Sequence, residues 1–504
     1  MHGVRRHAIL LGAILVVVGA LYARVSAAGY CGYDDFNEAY RAAFFDGKMP
    51  SRILTAVHFE RFMYRPVTSA LQLGTWQLFG HAAAAFRLRN LGMHLVAIAA
   101  VYGIAFLLGR SRSAATAAAA LFGFNPYANE AVVVAIWTNT TAYAIALGAV
   151  LSFVIAVRAA GDGRPWGLPL GTSLTLVAIA LFTYEPTIVA FAIMVAYLVL
   201  RSPRRQKAFG RFEIAFAAGC AGCGALFFGV RHVVGVASAG LLPAGEIVRD
   251  TAAYLVALEL PIDPVLANAL FGTPLPLAGS APSLALLVAP AVYGAFLVGA
   301  LAWGIARPLG DRIASIDWRT IGFALAAIPL SLGPILLYKP HLSEFNLYLP
   351  AAFYAIALAL LLRHFCRDRT AFAILAGLLL ISYAAGTWVR NDRVIACANV
   401  VSRIERGLPI ADWQSGSRHV LLATPPGERL TPRYGIYDYA GIETLEVAAT
   451  PIRGAQEALR LWTGNERLDA DVVPPAAFAQ DCRSPDTCYY VFANGDVRDV
   501  RRGP

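Results

Sequence analysis

Ile9-Leu-Leu-Gly-Ala-Ile-Leu-Val-Val-Val-Gly-Ala-Leu-Tyr22 carries no charged side chain, and soon after it comes Gly29-Tyr-Cys-Gly-Tyr-Asp-Asp-Phe36. The first stretch, with Arg5 and Arg6 ahead of it, reads as a helix that enters a bilayer. Val25-Ser26-Ala27 is a passable cleavage site, but the run is expected to stay as an anchor. The second stretch sets two adjacent carboxylates, Asp34 and Asp35, among aromatic rings where that helix should leave the hydrocarbon. Adjacent acids repel one another and lose solvation there, which moves one of them toward the range of a useful proton acceptor. The same pair also suits a plain surface loop or a helix cap.

Working outward, the composition agrees with the first run. Of 504 residues, 58% are hydrophobic and only 15% charged, and the mean hydropathy is +0.57. That leaves too few charges to cover several soluble domains. Apolar runs predict an all-α polytopic membrane protein with about eleven transmembrane helices, near 8–24, 90–109, 114–129, 137–157, 167–183, 186–200, 212–230, 283–306, 320–338, 346–362 and 370–388.

Alternate links between these runs are basic. Arg110 and Arg112, Arg158 and Arg164, and Arg201, Arg204, Arg205, Lys207 and Arg211 occupy three of them. Arg307, Arg312 and Arg319, then Arg363, Arg367 and Arg369, occupy two more, and only Asp162, Asp311, Asp317 and Asp368 oppose them. By the positive-inside rule these links and the N-terminus face the cytoplasm. The formal charge of +10 is therefore a topology signal, and no nucleic-acid partner is expected. The location expected is a bacterial inner membrane.

The opposite side receives a large first outer loop (25–89), a second outer loop (231–282) and a polar tail (389–504). Residues 1–388 thus form a membrane domain, and 389–504 a small extracytoplasmic α/β or mixed domain. Within the first loop, Leu71–Phe79 and Ala82–Phe86 suit short interfacial helices. A helix is expected near 246–260 in the second, and another over Val394–Glu405 in the tail. Cys482 and Cys488 flank a short polar run and are candidates for a local disulfide in an oxidising compartment. Cys31, Cys220, Cys223, Cys366 and Cys397 show no metal-ligand spacing, so a divalent metal stays an open question.

Acids recur on the outer face. Glu130 follows Phe124-Asn-Pro126, Glu185 sits in Tyr184-Glu-Pro186, and Glu344 follows Lys339 and His341. Carboxylates this close to hydrocarbon are costly and are candidates for function. Asn90 and His94, four apart, share a helix face, which serves either helix packing or a cavity.

In order, these residues resemble the polytopic GT-C glycosyltransferases, especially the protein O-mannosyltransferases and the membrane part of the transmembrane-and-tetratricopeptide-repeat mannosyltransferases. The acidic pair is matched by Asp34-Asp35, an aromatic-Arg-Pro segment by Tyr64-Arg65-Pro66, and a Leu-Phe-Gly stretch by Leu78-Phe79-Gly80. Asn90 to His94 matches an Asn-x-x-x-His helix, and Asn125-Pro126 through Glu130-Ala131-Val132 matches a His-Pro-x-x-x-Glu-Ala-Val motif with Asn in place of His. Tyr184-Glu185-Pro186 resembles a Lys-Glu motif, and Glu344-Phe-Asn-Leu-Tyr-Leu-Pro350 a Glu-Arg-Tyr-Leu-Tyr-Leu-Pro motif with Phe345 in place of Arg. The tail shows no tetratricopeptide period.

The resemblance implies an inverting transfer of a sugar, mannose or a similar hexose, from a polyprenyl-phosphate donor to a protein or glycan hydroxyl outside the cytoplasm. It points to Asp34 as general base, with Asp35 orienting it, binding acceptor or holding a metal. Arg65, Lys339 and His341 are then the donor-phosphate candidates, and Glu130, Glu185, Glu344, Asn90 and His94 line the cavity. Two other readings stay open from sequence: a transporter or flippase of a lipid-linked glycan, and a membrane scaffold with an inactive site.

Overall fold

The computed structural model describes residues 2–46, 53–54, 63–201, 210–236, 243–259, 317–338, 344–366, 368–425, 437–439, 442–444, 455–473, 478, 481–482, 487–492 and 494–499. Helix α1 spans His2–Ser26, α2 Tyr33–Tyr40, α3 Pro66–Phe79, α4 Ala83–Gly109, α5 Arg112–Gly123 and α6 Asn129–Val133. Then come α7 Asn139–Gly161, α8 Gly167–Thr183, α9 Val189–Arg201, α10 Arg211–Val233 and α11 Ala244–Glu259. The remaining helices are α12 Trp318–Tyr338, α13 Tyr348–Phe365, α14 Arg369–Gly407 and α15 Ala455–Thr463.

Six stretches among the described residues are long and apolar enough to cross a bilayer: His7–Ser26, Ala83–Gly109, Asn139–Gly161, Arg211–Val233, Glu344–Phe365 and Arg369–Gly407. Their outward faces carry exposed apolar groups such as Val16 and Val17 on α1 and Leu226 and Phe228 on α10, which lipid would cover. The chain is an integral membrane protein. The described helices fall short of the eleven expected spans. Runs 167–183 and 186–200 are shorter apolar helices, α12 holds Pro329 and Pro334, and 283–306 lies outside the described residues.

The expected span 114–129 is corrected. Helix α5 stops at Gly123, because Pro126 cannot continue a helix and Asn125 instead accepts the Tyr127 N–H at 2.9 Å to start a 3-10 turn. Ser111 caps its other end, accepting the Ala114 N–H at 3.3 Å. The result is a short helix whose alanines, Ala114, Ala115 and Ala118 among them, are fully buried. Small side chains let neighbouring backbones approach. A Cβ at Gly123 would lie 2.9 Å from both Val18 and Ile98.

The first loop also differs from expectation. Residues 82–86 are no separate interfacial helix. They lead into α4, which starts at Ala83, after Gly80 has ended α3 with a φ of +59°. Helix α14 runs unbroken from Arg369 to Gly407, so position 388 falls inside it.

Beyond α14 the tail builds a sheet from β1 (Arg418–Ala423), β4 (Leu468–Val472), β5 (Cys488–Val491) and β6 (Val497–Asp499) in the order β4-β1-β5-β6. The β1 pairings are parallel and β5–β6 is antiparallel. A separate two-stranded ribbon joins β2 (Tyr437–Tyr439) to β3 (Ile442–Thr444). Val400, Ile404 and Leu408 at the end of α14 share a core with Val420, Leu422 and Leu468, which seats the sheet on that helix. Cys482 and Cys488 form a disulfide. A second disulfide, absent from the sequence reading, joins Cys31 to Cys397.

The two ends of the bundle differ in charge. At one end Arg112 donates to His7 at 2.9 Å and Arg164 pairs with Asp162 at 2.6 Å. The other end gathers Asp35, Glu130, Glu185 and Glu344.

Candidate functional site

Between the end of α6 and the start of α7, residues 134–138 form a buried non-helical strap. Only its ends keep helical partners, Val134 donating its N–H to the Glu130 carbonyl at 3.2 Å and Thr138 accepting the Ala142 N–H at 3.0 Å, so side chains satisfy the amides between them. Asp35 Oδ1 accepts the N–H of Ala135 at 2.9 Å and of Ile136 at 3.3 Å. Asn90 donates to the carbonyls of Val134 (2.8 Å) and Ala135 (3.2 Å). Arg89 donates to Ile136 and Trp137, and Gln72 also donates to Ile136. Thr68 and Thr138 share a hydroxyl contact of 2.6 Å. Five side chains from α2, α3 and the start of α4, namely Asp35, Thr68, Gln72, Arg89 and Asn90, therefore converge on this one strap.

Asp35 is fully buried. Its other oxygen accepts the Cys31 N–H at 2.9 Å, and Arg87 Nη2 lies 3.7 Å away. Burial raises the pKa of this carboxyl above the usual carboxylate range, while Arg87 and the three amides draw it back down. These contacts tie α2 to the strap, to the chain leaving α1 and to α4. Asp34 precedes it on α2, and its side chain lies outside the described part. One turn further on, Glu38 pairs with Arg41 at 2.6 Å and accepts from Gln72 at 3.0 Å.

A second charged group sits where α3, α8 and α10 meet. Glu185 accepts from Arg65 Nε at 2.7 Å, from Arg231 Nη1 at 3.3 Å and from the Tyr64 N–H at 3.2 Å. Arg65 also lies over the Tyr184 ring, 4.6 Å from its centre. The side chains of Arg65 and Arg231 each keep 19% of their accessible surface. Two guanidiniums thus share one carboxylate at a partly open position.

Glu130 and Glu344 are fully buried. Glu130 accepts the Phe345 N–H at 2.9 Å, and the Phe345 ring packs on Trp137 of the strap with centroids 4.7 Å apart. Glu344 is gripped by both terminal nitrogens of Arg390, one at 2.8 Å. Alongside, Asn129 donates to Asn391 at 2.8 Å. His94 has both ring nitrogens occupied, one near the Tyr348 hydroxyl (2.8 Å) and one near the Gly123 carbonyl (3.3 Å). Asn90 and His94 are thus held inside the bundle. Lys339 and His341 lie outside the described residues, and the described residues contain no cluster of three or more metal-binding side chains.

Four arginines are not evident as site members from sequence: Arg87, Arg89, Arg231 and Arg390. Each follows or interrupts an apolar run, where a guanidinium needs a carboxylate or carbonyl partner. That need was visible in sequence, although the identity of the partner was not.

No family model and no curated protein matches the sequence. Among solved structures the chain is similar to the Archaeoglobus fulgidus oligosaccharyltransferase complexed with Zn and sulfate, at 11% identity and a TM-score of 0.45, over 82% of this chain and 60% of that one. It is similar to ArnT from Cupriavidus metallidurans bound to undecaprenyl phosphate, at 14% identity and a TM-score of 0.40, over 98% and 96%. It is also similar to the arabinofuranosyltransferase AftD from Mycobacteria, at 14% identity and a TM-score of 0.41, over 93% and 32%. The chain spans about three fifths of the length of that oligosaccharyltransferase.

Proposed function

We propose that this chain is a GT-C-type membrane glycosyltransferase that moves a hexose from a polyprenyl phosphate to an acceptor hydroxyl at its acidic end. The observation that carries the reading is the Arg65–Glu185–Arg231 group, a pair of guanidiniums at a partly open position at the end of apolar helices. A lipid phosphate arriving within the bilayer needs that combination, and guanidiniums grip phosphate oxygens in pairs. Arg231 supplies a second cation beside Arg65, and Arg390 restores a guanidinium next to Phe345, although it is committed to Glu344.

In the transfer step, Asp34 accepts the proton of the acceptor hydroxyl. The acceptor oxygen bonds to the anomeric carbon as the bond from that carbon to the phosphate oxygen breaks. The phosphate leaves with the electron pair, and Arg65 and Arg231 stabilise its charge. Displacement from the far side inverts the anomeric centre. Asp35 is a positioning residue: it locks α2 against the strap and so sets where Asp34 stands.

Both disulfides lie on the acidic side of the bundle, which fits an oxidising compartment outside the cytoplasm. The test is purified protein in lipid vesicles supplied with a polyprenyl-phosphate hexose. Asp34→Asn is expected to lower turnover about a hundredfold or more with donor binding kept. Full-rate transfer by that variant would refute the assignment.

A further inference from the structure

We propose that a cavity between α2, the outer part of α14 and α15 holds one or two rings of a carbohydrate, so that the acceptor is a glycan. This deepens the glycosyltransfer reading and rests on it. The cavity measures about 360 Å³, within the range of about 300–1,000 Å³ usual for small-molecule sites. Its walls mix two kinds of group. Glu405, His81 and Ser402 supply a carboxylate, an imidazole and a hydroxyl, while Trp462 and Phe36 supply aromatic surface. The two rings meet edge to face, with centroids 5.5 Å apart.

A sugar ring presents the same division, hydroxyl groups around its rim and C–H groups on its faces. A carboxylate accepts two hydroxyl protons, and an indole covers an apolar sugar face. A lipid tail would offer Glu405 and His81 no hydrogen-bonding group. One common way to hold an extended peptide is strand addition at a sheet edge, and no strand residue lines this cavity. Its walls come from helices, from the turn at 81–82 and from the chain at 27–30.

The location suits an acceptor. Phe36 stands on the same helix as Asp34 and Asp35. Tyr30, another wall residue, is close enough to Asp35 for its phenol to be pushed up by that charge as well as by burial. Helix α15 of the tail closes the other side, with Arg460 over the Tyr40 ring of α2 at 5.7 Å. None of its wall residues belongs to the Arg65–Arg231 group that would hold a lipid phosphate.

The full-length protein in detergent is exposed, without donor, to mannobiose, maltose, cellobiose and a Ser/Thr-rich peptide. Binding is read by saturation-transfer NMR. At least one disaccharide should bind, and Trp462→Ala, which removes a ring face, and Glu405→Gln, which removes a charge-assisted contact, should each weaken it about tenfold. Glu405 is exposed, so its variant keeps the packing that Trp462→Ala disturbs. Absence of disaccharide binding, binding unmoved by Glu405→Gln, or peptide binding that depends on these residues would overturn the proposal. Donor cleavage is scored separately. A protein that binds disaccharide through Glu405 yet never cleaves polyprenyl-phosphate hexose would sink the transferase reading alone.

Discussion

Cys31 and Cys397 form a disulfide whose Cα atoms lie 5.7 Å apart, although 366 positions separate them in sequence. The bond ties the chain leaving α1 to the outward continuation of α14. The N–H of Cys31 also donates to Asp35, so the same residue helps hold α2 in place. Closing a loop this long restricts the unfolded chain strongly. Replacing both cysteines with serine is expected to cost about 2–4 kcal/mol. Thermal unfolding in detergent should show a lower midpoint than wild type, and an unchanged midpoint would rule the staple out.

Glu344 and Arg390 are both fully buried and joined by two hydrogen bonds. Removing one partner strands the other charge. Glu344→Ala alone should destabilise by about 3–5 kcal/mol, whereas a double Glu344→Leu and Arg390→Met variant should lose much less. A double-mutant cycle on unfolding midpoints checks this. Additive losses would mean that the pair is not coupled.

The Arg65–Glu185–Arg231 group invites a kinetic test. Arg65→Ala and Arg231→Ala should each raise the donor KM and lower kcat, because both guanidiniums face the leaving phosphate in the proposed reaction. Arg65→Lys should recover only part of the loss, since an ammonium cannot grip two oxygens in a planar fork. Unchanged kcat/KM in both alanine variants would remove the phosphate role from this group.

Asp35 gives a pH dependence of definite sign. Burial raises its folded pKa above the unfolded value, so the folded protein binds this proton more tightly. Its contribution to stability is largest below the unfolded carboxylate range and is lost as pH rises through the raised folded value. Asp35→Asn lacks that titration. The stability of wild type relative to Asp35→Asn should therefore fall with rising pH, as read by thermal unfolding across the acid range. A difference that grows with pH would show that Arg87 and the three amides outweigh burial.

Much of the membrane architecture was legible because hydrocarbon thickness demands long apolar runs whatever surrounds them. The runs at 8–24, 137–157 and 212–230 reappear as α1, α7 and α10. The misreading at 114–129 has a local cause. Hydropathy carries across Phe124-Asn-Pro126, but proline and an asparagine cap end the helix there. Trp137 and Thr138 of the strap fall inside the expected span 137–157, because nothing in Val-Ala-Ile-Trp-Thr shows that its backbone will be claimed by Asp35, Asn90 and Arg89.

Sequence alone determined where apolar helices form and that basic links and acidic links alternate, because both follow from the transfer of single side chains between water and lipid. Only the tertiary structure decided which charge meets which: Asp35 with Arg87, Glu185 with Arg231, Glu344 with Arg390 and Cys31 with Cys397. A buried charge dictates that a partner must exist. Its identity depends on which distant segments the packed helices bring within a few ångströms, and a one-dimensional pattern does not carry that.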